Sequence, residues 1–187
     1  MARLIKAAGK IELRPPNDDH FAALVRSIMY QQLAGAAALA IHTRLVGLFK
    51  DGLTPAAVLA LPEGAMRSVG VSGAKQAAIA DLALKVTDGT VPFHDADSIG
   101  DDELVARLVQ VRGIGRWTAE MFLIFTLGRL DVWPVDDLGV RAGYGVAYGI
   151  DPMPTAKALA PLGDPFRPYR TVAAWYCWRA VDTVIPA

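Results

Sequence analysis

The stretch Val109-Gln110-Val111-Arg112-Gly113-Ile114-Gly115-Arg116-Trp117-Thr118-Ala119 decides how this chain is read. Upstream, Asp101 to Gln110 carries apolar residues at helical spacing. Downstream, a strongly apolar helix is predicted from Arg116 to Leu127, with Gly128 as its stop. Between them, two glycines flank one aliphatic residue. Glycine permits a positive φ and a close approach by another backbone. The amides that open the second helix, together with the positive end of its dipole, can hold a phosphate without a lysine. Taken alone, Gly-x-Gly fits a tight turn between two core helices at least as well.

Working outward, the apolar spacing stays helical. Phe21, Leu24, Val25, Ile28 and Met29 share one face behind an N-cap at Asn17 or Asp18. Further helices are expected over Ala37–Phe49, from the Thr54-Pro55 cap to about Leu61, and from Gly73 to Asp88 with Gly89 as its stop. Others should begin near Asp136 or Asp137, at Thr155, and after Pro168, and a brief segment should run from Pro62 to Gly70. No run alternates with period two between hairpin turns, and only Leu4–Leu13 could hold a short extended piece. The expectation is an all-α fold of nine or ten short helices. Residues 1–187 would form one domain of two helical lobes flanking a cleft, with the N- and C-terminal segments in one lobe.

Composition narrows the function. The 187 residues are 53% hydrophobic and 20% charged, an ordinary globular balance. The longest apolar runs, such as Met121 to Leu127, are too short to span a membrane, and Met1–Ala7 leads into no signal-peptide pattern. A single cysteine, Cys177, excludes an internal disulfide framework and any four-cysteine cluster, and it points to a reducing compartment. Cys177 itself reads as a buried small hydrophobe. Nineteen basic and nineteen acidic residues cancel, which argues against a partner held by a broad basic surface. His20, His42 and His94 are isolated by spacing and read as surface or capping residues.

Twenty positions beyond Trp117 lies Asp137, within Trp133-Pro134-Val135-Asp136-Asp137-Leu138-Gly139-Val140-Arg141. Proline before two aspartates and an apolar-periodic run reads as a helix start. A capping aspartate followed by a first-turn acid explains the pair by itself. Its combination with the upstream glycine turn suggests more.

The two stretches together resemble the helix–hairpin–helix (HhH-GPD) DNA glycosylase superfamily, most closely its AlkA-type 3-methyladenine DNA glycosylase branch. Three other stretches are similar to that family: Arg26 to Ala34, Gly70 to Lys75, and Tyr169 to Arg179. The resemblance implies double-stranded DNA with a damaged base as partner, a monomer, and a cytoplasmic protein. Larger AlkA enzymes add an N-terminal β-rich domain, which is not expected here.

It also implies roles for single residues. Asp137, followed by x-x-Val140, would be the catalytic carboxylate, with Asp136 as the alternative if the register shifts by one; otherwise Asp136 would cap or support the helix. Flipping a base from the duplex costs a few kcal/mol and leaves a gap. Gln32 or Leu33 would fill that gap, beside Gln31, although Leu33 is as readily a core residue and both glutamines could be a solvated helix end. Tyr30, Trp117, Trp133 and Trp175 would build the aromatic pocket, while Trp178 reads as plain core. Gly113, Gly115, Arg116 and Thr118 would meet DNA phosphates, as would Arg112 and Lys75. The carbonyls of Val109, Val111 and Gly113 would hold a monovalent cation, and no cofactor is needed for the chemistry.

Position 117 separates reaction types. Bifunctional superfamily members place a lysine there, and Schiff-base chemistry requires an amine. An indole cannot supply one, so hydrolysis leaving an abasic site is expected. A damage-sensing binder without catalysis and a glycosylase for deaminated or oxidised bases are the alternatives. In either case, few phosphate contacts are expected. The slope of log affinity against log salt should then be on the order of three to five, at about 0.9 per neutralised phosphate. Fluorescence-anisotropy titrations across a salt series measure it, and a slope near ten would refute the expectation.

Overall fold

Side chains of Asp19, Thr54, Asp137 and Thr155 cap four of the helix starts. The computed structural model describes residues 2–11, 19–96 and 98–182. Among them are eleven α-helices and no strand: α1 Ala2–Ala8, α2 His20–Tyr30, α3 Gly35–Val46, α4 Pro55–Leu59, α5 Ala65–Ser68, α6 Gly73–Thr87, α7 Asp101–Leu108, α8 Arg116–Phe125, α9 Leu138–Tyr148, α10 Ala156–Leu159 and α11 Arg170–Asp182. Two 3₁₀ turns, Phe93–Asp95 and Ala160–Phe166, were not foreseen. Thr54 and Thr155 cap α4 and α10 through their hydroxyls, as their positions suggested.

Two expectations need correction. The cap of α2 is Asp19, whose carboxylate accepts the Ala22 amide at 3.0 Å; Asn17 and Asp18 lie outside the described residues. The segment thought able to extend, Leu4–Leu13, begins in a helix. Leu4 is buried against Tyr176 and Ala180 of α11, and the Tyr176 hydroxyl donates to the Gly9 carbonyl at 2.9 Å. A helix presents Leu4 to α11 while its backbone bonds stay internal. A lone strand would have had no ladder to join.

The chain divides into two compact units, Asn17–Phe122 and Met1–Pro16 with Leu123–Ala187. In the first, α2 packs on α3 and α6, and α4 packs on α6. Leu24, Val25, Ile28, Met29, Leu45, Ile79, Leu82, Leu104 and Leu108 are fully buried there. In the second, α9 and α11 form the central pair. They cross backbone to backbone at Gly143, where an added Cβ would lie 1.8 Å from the Cys177 carbonyl oxygen. Cys177 is buried, and burial pushes its thiol up to about 12. It is therefore a packing residue, as the sequence suggested.

The start of α11 is fastened by Asp131. Its carboxylate takes Arg170 Nε at 2.7 Å and Nη2 at 3.0 Å, and Arg167 Nη1 at 2.8 Å. Thr171 bridges the same loop, accepting the Val132 amide and donating to the Arg129 carbonyl. Burial pushes the Asp131 carboxyl up, but the Arg170 hydrogen bonds and the two guanidinium charges outweigh it and hold it below the usual range. A carboxylate so depressed contributes stability above its unfolded value of about 3.9, and that contribution is lost as pH falls through the folded value. Asp131→Asn should therefore destabilise by roughly 2 kcal/mol at pH 7, the size of charge-assisted hydrogen bonds. The difference from wild type should shrink on acidification below about pH 4. Urea midpoints measured across pH test it, and a pH-independent difference would contradict it.

Candidate active site and nucleic-acid interface

Within residues 17–122 the glycine turn behaves as a hairpin. Gly113 has φ +77°, which demands glycine, and a Cβ there would also press on Ala78. Gly115 needs no such φ; nothing lies within 4 Å of where its Cβ would stand, and its carbonyl accepts the first bond of α8 from Ala119. The hairpin is held from α6, where Asp81 accepts the Arg112 amide at 2.7 Å. That bond, with help from Lys85, keeps the Asp81 carboxyl below its ordinary range. The Arg116 side chain pairs with buried Glu120 at 2.9 Å, and Thr118 is buried.

Beside the hairpin lies a cavity of about 550 Å³ lined by Ser27, Tyr30, Gln31, Gln32, Gly113, Trp117, Thr118 and Met121. That is the size of a small-ligand pocket. Trp117 is 46% exposed and turns toward this cavity as part of its lining. Tyr30 carries the Arg26 guanidinium 4.2 Å from its ring centroid and meets His42 edge-on. His42 is therefore not a surface residue. Burial, then the Arg26 charge, lowers its pKa, and its Nε2 has no hydrogen-bond partner among the described residues. His20 likewise packs between the Phe93 and Phe122 rings, whereas His94 is exposed beside Asp95. Gln32 is exposed with φ +55°, and Leu33 is 39% exposed, so it is not the core residue it could have been.

In the other unit, Asp137 is 8% exposed and caps α9. Its Oδ1 accepts the Val140 amide at 2.8 Å and the Trp178 indole N–H at 2.8 Å. Asp136 is exposed, and the capping role expected of it falls to Asp137, because Pro134 turns the chain one residue later. Trp178 is thus no plain core residue. It stacks on Phe125 at 5.5 Å and fixes the carboxylate. The only sequence signal for it was its place as the third aromatic residue of α11, after Trp175 and Tyr176.

Trp133, expected in the pocket, is a core residue instead: 6% exposed, with its indole N–H on the Leu159 carbonyl at 3.0 Å. Gly163 makes room for it, since a Cβ there would lie 2.4 Å from the ring. Trp175 packs in the α1–α11 cluster, edge-on to Tyr176 and under Arg179. Lys75 is not free for phosphate. Its ammonium donates to the Met29 carbonyl and to the Gln31 carbonyl at 2.9 Å, and burial lowers its pKa.

The hairpin, with its open glycine and the aromatic cavity beside it, belongs to one unit, and the buried capping aspartate belongs to the other. The sequence profile of the HhH-GPD superfamily of base excision DNA repair proteins matches residues 25–167, and this chain belongs to that family. It is 35% identical over 186 residues to DNA-3-methyladenine glycosylase 1 of Schizosaccharomyces pombe, covering 95% of this chain and 80% of that protein. The solved S. pombe 3-methyladenine DNA glycosylase in complex with abasic DNA superposes with a TM-score of 0.83 at 34% identity, covering 100% of this chain and 93% of that one. A DNA-3-methyladenine glycosidase structure from Bacillus halodurans gives a TM-score of 0.87 at 36% identity, covering 96% and 84%.

Gly139 leaves the space that Trp178 occupies, and a Cβ at Gly139 would stand 2.8 Å from the indole and 3.2 Å from Asp137 Oδ1. Trp178→Phe removes one hydrogen bond to the carboxylate. The loss should slow single-turnover base excision roughly tenfold or more, since a hydrogen bond to a charged group contributes about 1.5–3 kcal/mol. Gly139→Ala should slow it as well, by displacing the same ring. Rates at saturating enzyme, with folding checked by circular dichroism, measure both; normal rates in both variants would show that the indole does not serve Asp137.

Proposed function

We propose that this chain is a monofunctional DNA glycosylase of base excision repair. It flips an alkylated base, of the 3-methyladenine or 7-methylguanine type, out of duplex DNA and hydrolyses its N-glycosidic bond to leave an abasic site. The observation that carries this is the near full-length likeness to 3-methyladenine glycosylases, one of them with abasic DNA. Trp117 supports the monofunctional reading, because no amine stands at that position.

The chemistry asks for little. An N3- or N7-alkylated purine already bears positive charge and leaves readily, and the sugar passes through an oxocarbenium-like state, as in glycoside hydrolysis. Asp137 supplies negative charge to that state and orients the attacking water. Val140 N–H and Trp178 Nε1 hold its Oδ1, so the group needs no reorganisation as the bond breaks. Trp117 and Tyr30 offer aromatic faces to the extruded base. The α8 N-terminus and the open backbone at Gly115 receive a DNA phosphate.

The hairpin also suits a monovalent cation. The carbonyls of Val109, Val111 and Gly113 are hard oxygen donors. The Ile114 amide on Val111 and the Gln31 amide on Gly113 each leave a second lone pair. A cation there would add positive charge beside the phosphate. The protein acts as a monomer on double-stranded DNA, and no helix among the described residues is long and apolar enough to cross a membrane.

Asp137→Asn tests the mechanism. The amide oxygen can still accept from Val140 and Trp178, so the fold and lesion binding should survive. Excision should fall roughly a hundred- to a thousandfold, the usual loss when one preorganised electrostatic group is removed. Duplexes with single lesions are incubated with each protein, and strands are resolved before and after alkali. Wild type should give breaks only after alkali, and Asp136→Asn should be only modestly impaired. Tight binding without excision of any lesion would favour a damage sensor, and full activity of Asp137→Asn would refute the carboxylate mechanism.

A further inference from the structure

Lys75 sits in the first turn of α6, where a helix disfavours a cation, because its amides and dipole present positive charge. Its side chain does not stay there. It reaches the other end of α2, donating to the carbonyls of Met29 and Gln31. Helix α2 has no basic residue in its own last turn, so Lys75 supplies the charge that its final carbonyls lack. A second tether leaves the same turn. The Gln31 side-chain amide donates to the Gly113 carbonyl at 3.0 Å, fastening the end of α2 to the hairpin. Directly after these anchors stands Gln32, the one non-glycine residue with positive φ among those described. Such a backbone persists when its surroundings over-determine it, and such residues gather at functional positions. Gln32 and Leu33, which follows it, are both exposed.

We propose that Lys75 and Gln31 are positioning residues that preset the Gln31–Leu33 turn, so that its tip enters the duplex as the base leaves without first having to be ordered. This rests on the glycosylase reading above. Lys75 then acts through the turn and not through phosphate. The preset turn matters most where a base must be pulled from a pair and its partner left without one. It matters least where the lesion sits in a single-nucleotide bulge with no opposite base, because unpairing is then already accomplished.

The test compares single-turnover excision, at saturating enzyme, from a fully paired duplex and from a bulged duplex carrying the same lesion. Lys75→Met should lower the paired-to-bulged ratio of rates roughly tenfold, as expected when charge-assisted hydrogen bonds are lost. Lys75→Arg, which can still donate to both carbonyls, should restore much of it. Gln31→Met cuts the second tether with α6 untouched and should lower the ratio in the same direction; it carries the test if Lys75→Met fails to fold. The salt slope of DNA binding should be unchanged in all three. Equal losses on the two duplexes would overturn the inference, as a general structural defect predicts. So would a drop of about 0.9 in the salt slope, the mark of a lost phosphate contact. Wild type that excises nothing from either duplex would overturn the glycosylase reading itself, and this inference with it.

Discussion

The touch of two backbones at Gly143 and Cys177 sets the geometry of the unit that carries Asp137. Any side chain at position 143 would overlap the Cys177 carbonyl, so α9 and α11 meet backbone to backbone there. One residue past that contact, Trp178 leaves α11 toward the start of α9 and meets Asp137. One turn before it, Gly139 leaves the gap the indole fills. Two glycines on one face of α9 thus do separate work: one brings the helices together, and the other admits the ring that holds the carboxylate. The Asp131–Arg170 cluster keeps the beginning of α11 in place, so that Trp178 arrives in register.

The same economy governs residues 17–122, where a carboxylate and a side-chain amide each bind the main chain of the hairpin. Gly113 turns left-handed, Asp81 holds the Arg112 amide, and Gln31 reaches the Gly113 carbonyl. Both bonds run between side chain and main chain, so a neutral protein can shape this loop without a basic patch. Zero net charge is then no obstacle to acting on DNA. Two charges that the sequence reading assigned to DNA phosphates are used internally, Lys75 on α2 and Arg116 on Glu120, and Arg167 and Arg170 are likewise engaged by Asp131.

The all-helical class, the helix starts at Thr54, at Thr155 and at Asp136 or Asp137, the glycine turn before Arg116, and the family were legible in the sequence, because each is written within a few neighbouring residues. Apolar spacing, a cap and a stop are local, and so is a backbone angle that only glycine adopts readily. The partners of the tryptophans and cations were not legible. Trp133, Trp175 and Trp178 have the same side chain, and nothing near them in the chain says which one meets a carboxylate. That depends on residues 26 and 41 positions away, Leu159 and Asp137, brought close by packing. Lys75 read as a phosphate contact because its carbonyl partners lie 44 and 46 positions earlier. Periodicity and capping thus determined which segments are helices and where they begin. Tertiary structure alone decided which partners Trp133, Trp178, Lys75 and Arg170 meet, because those choices are made by close packing between segments far apart in the chain.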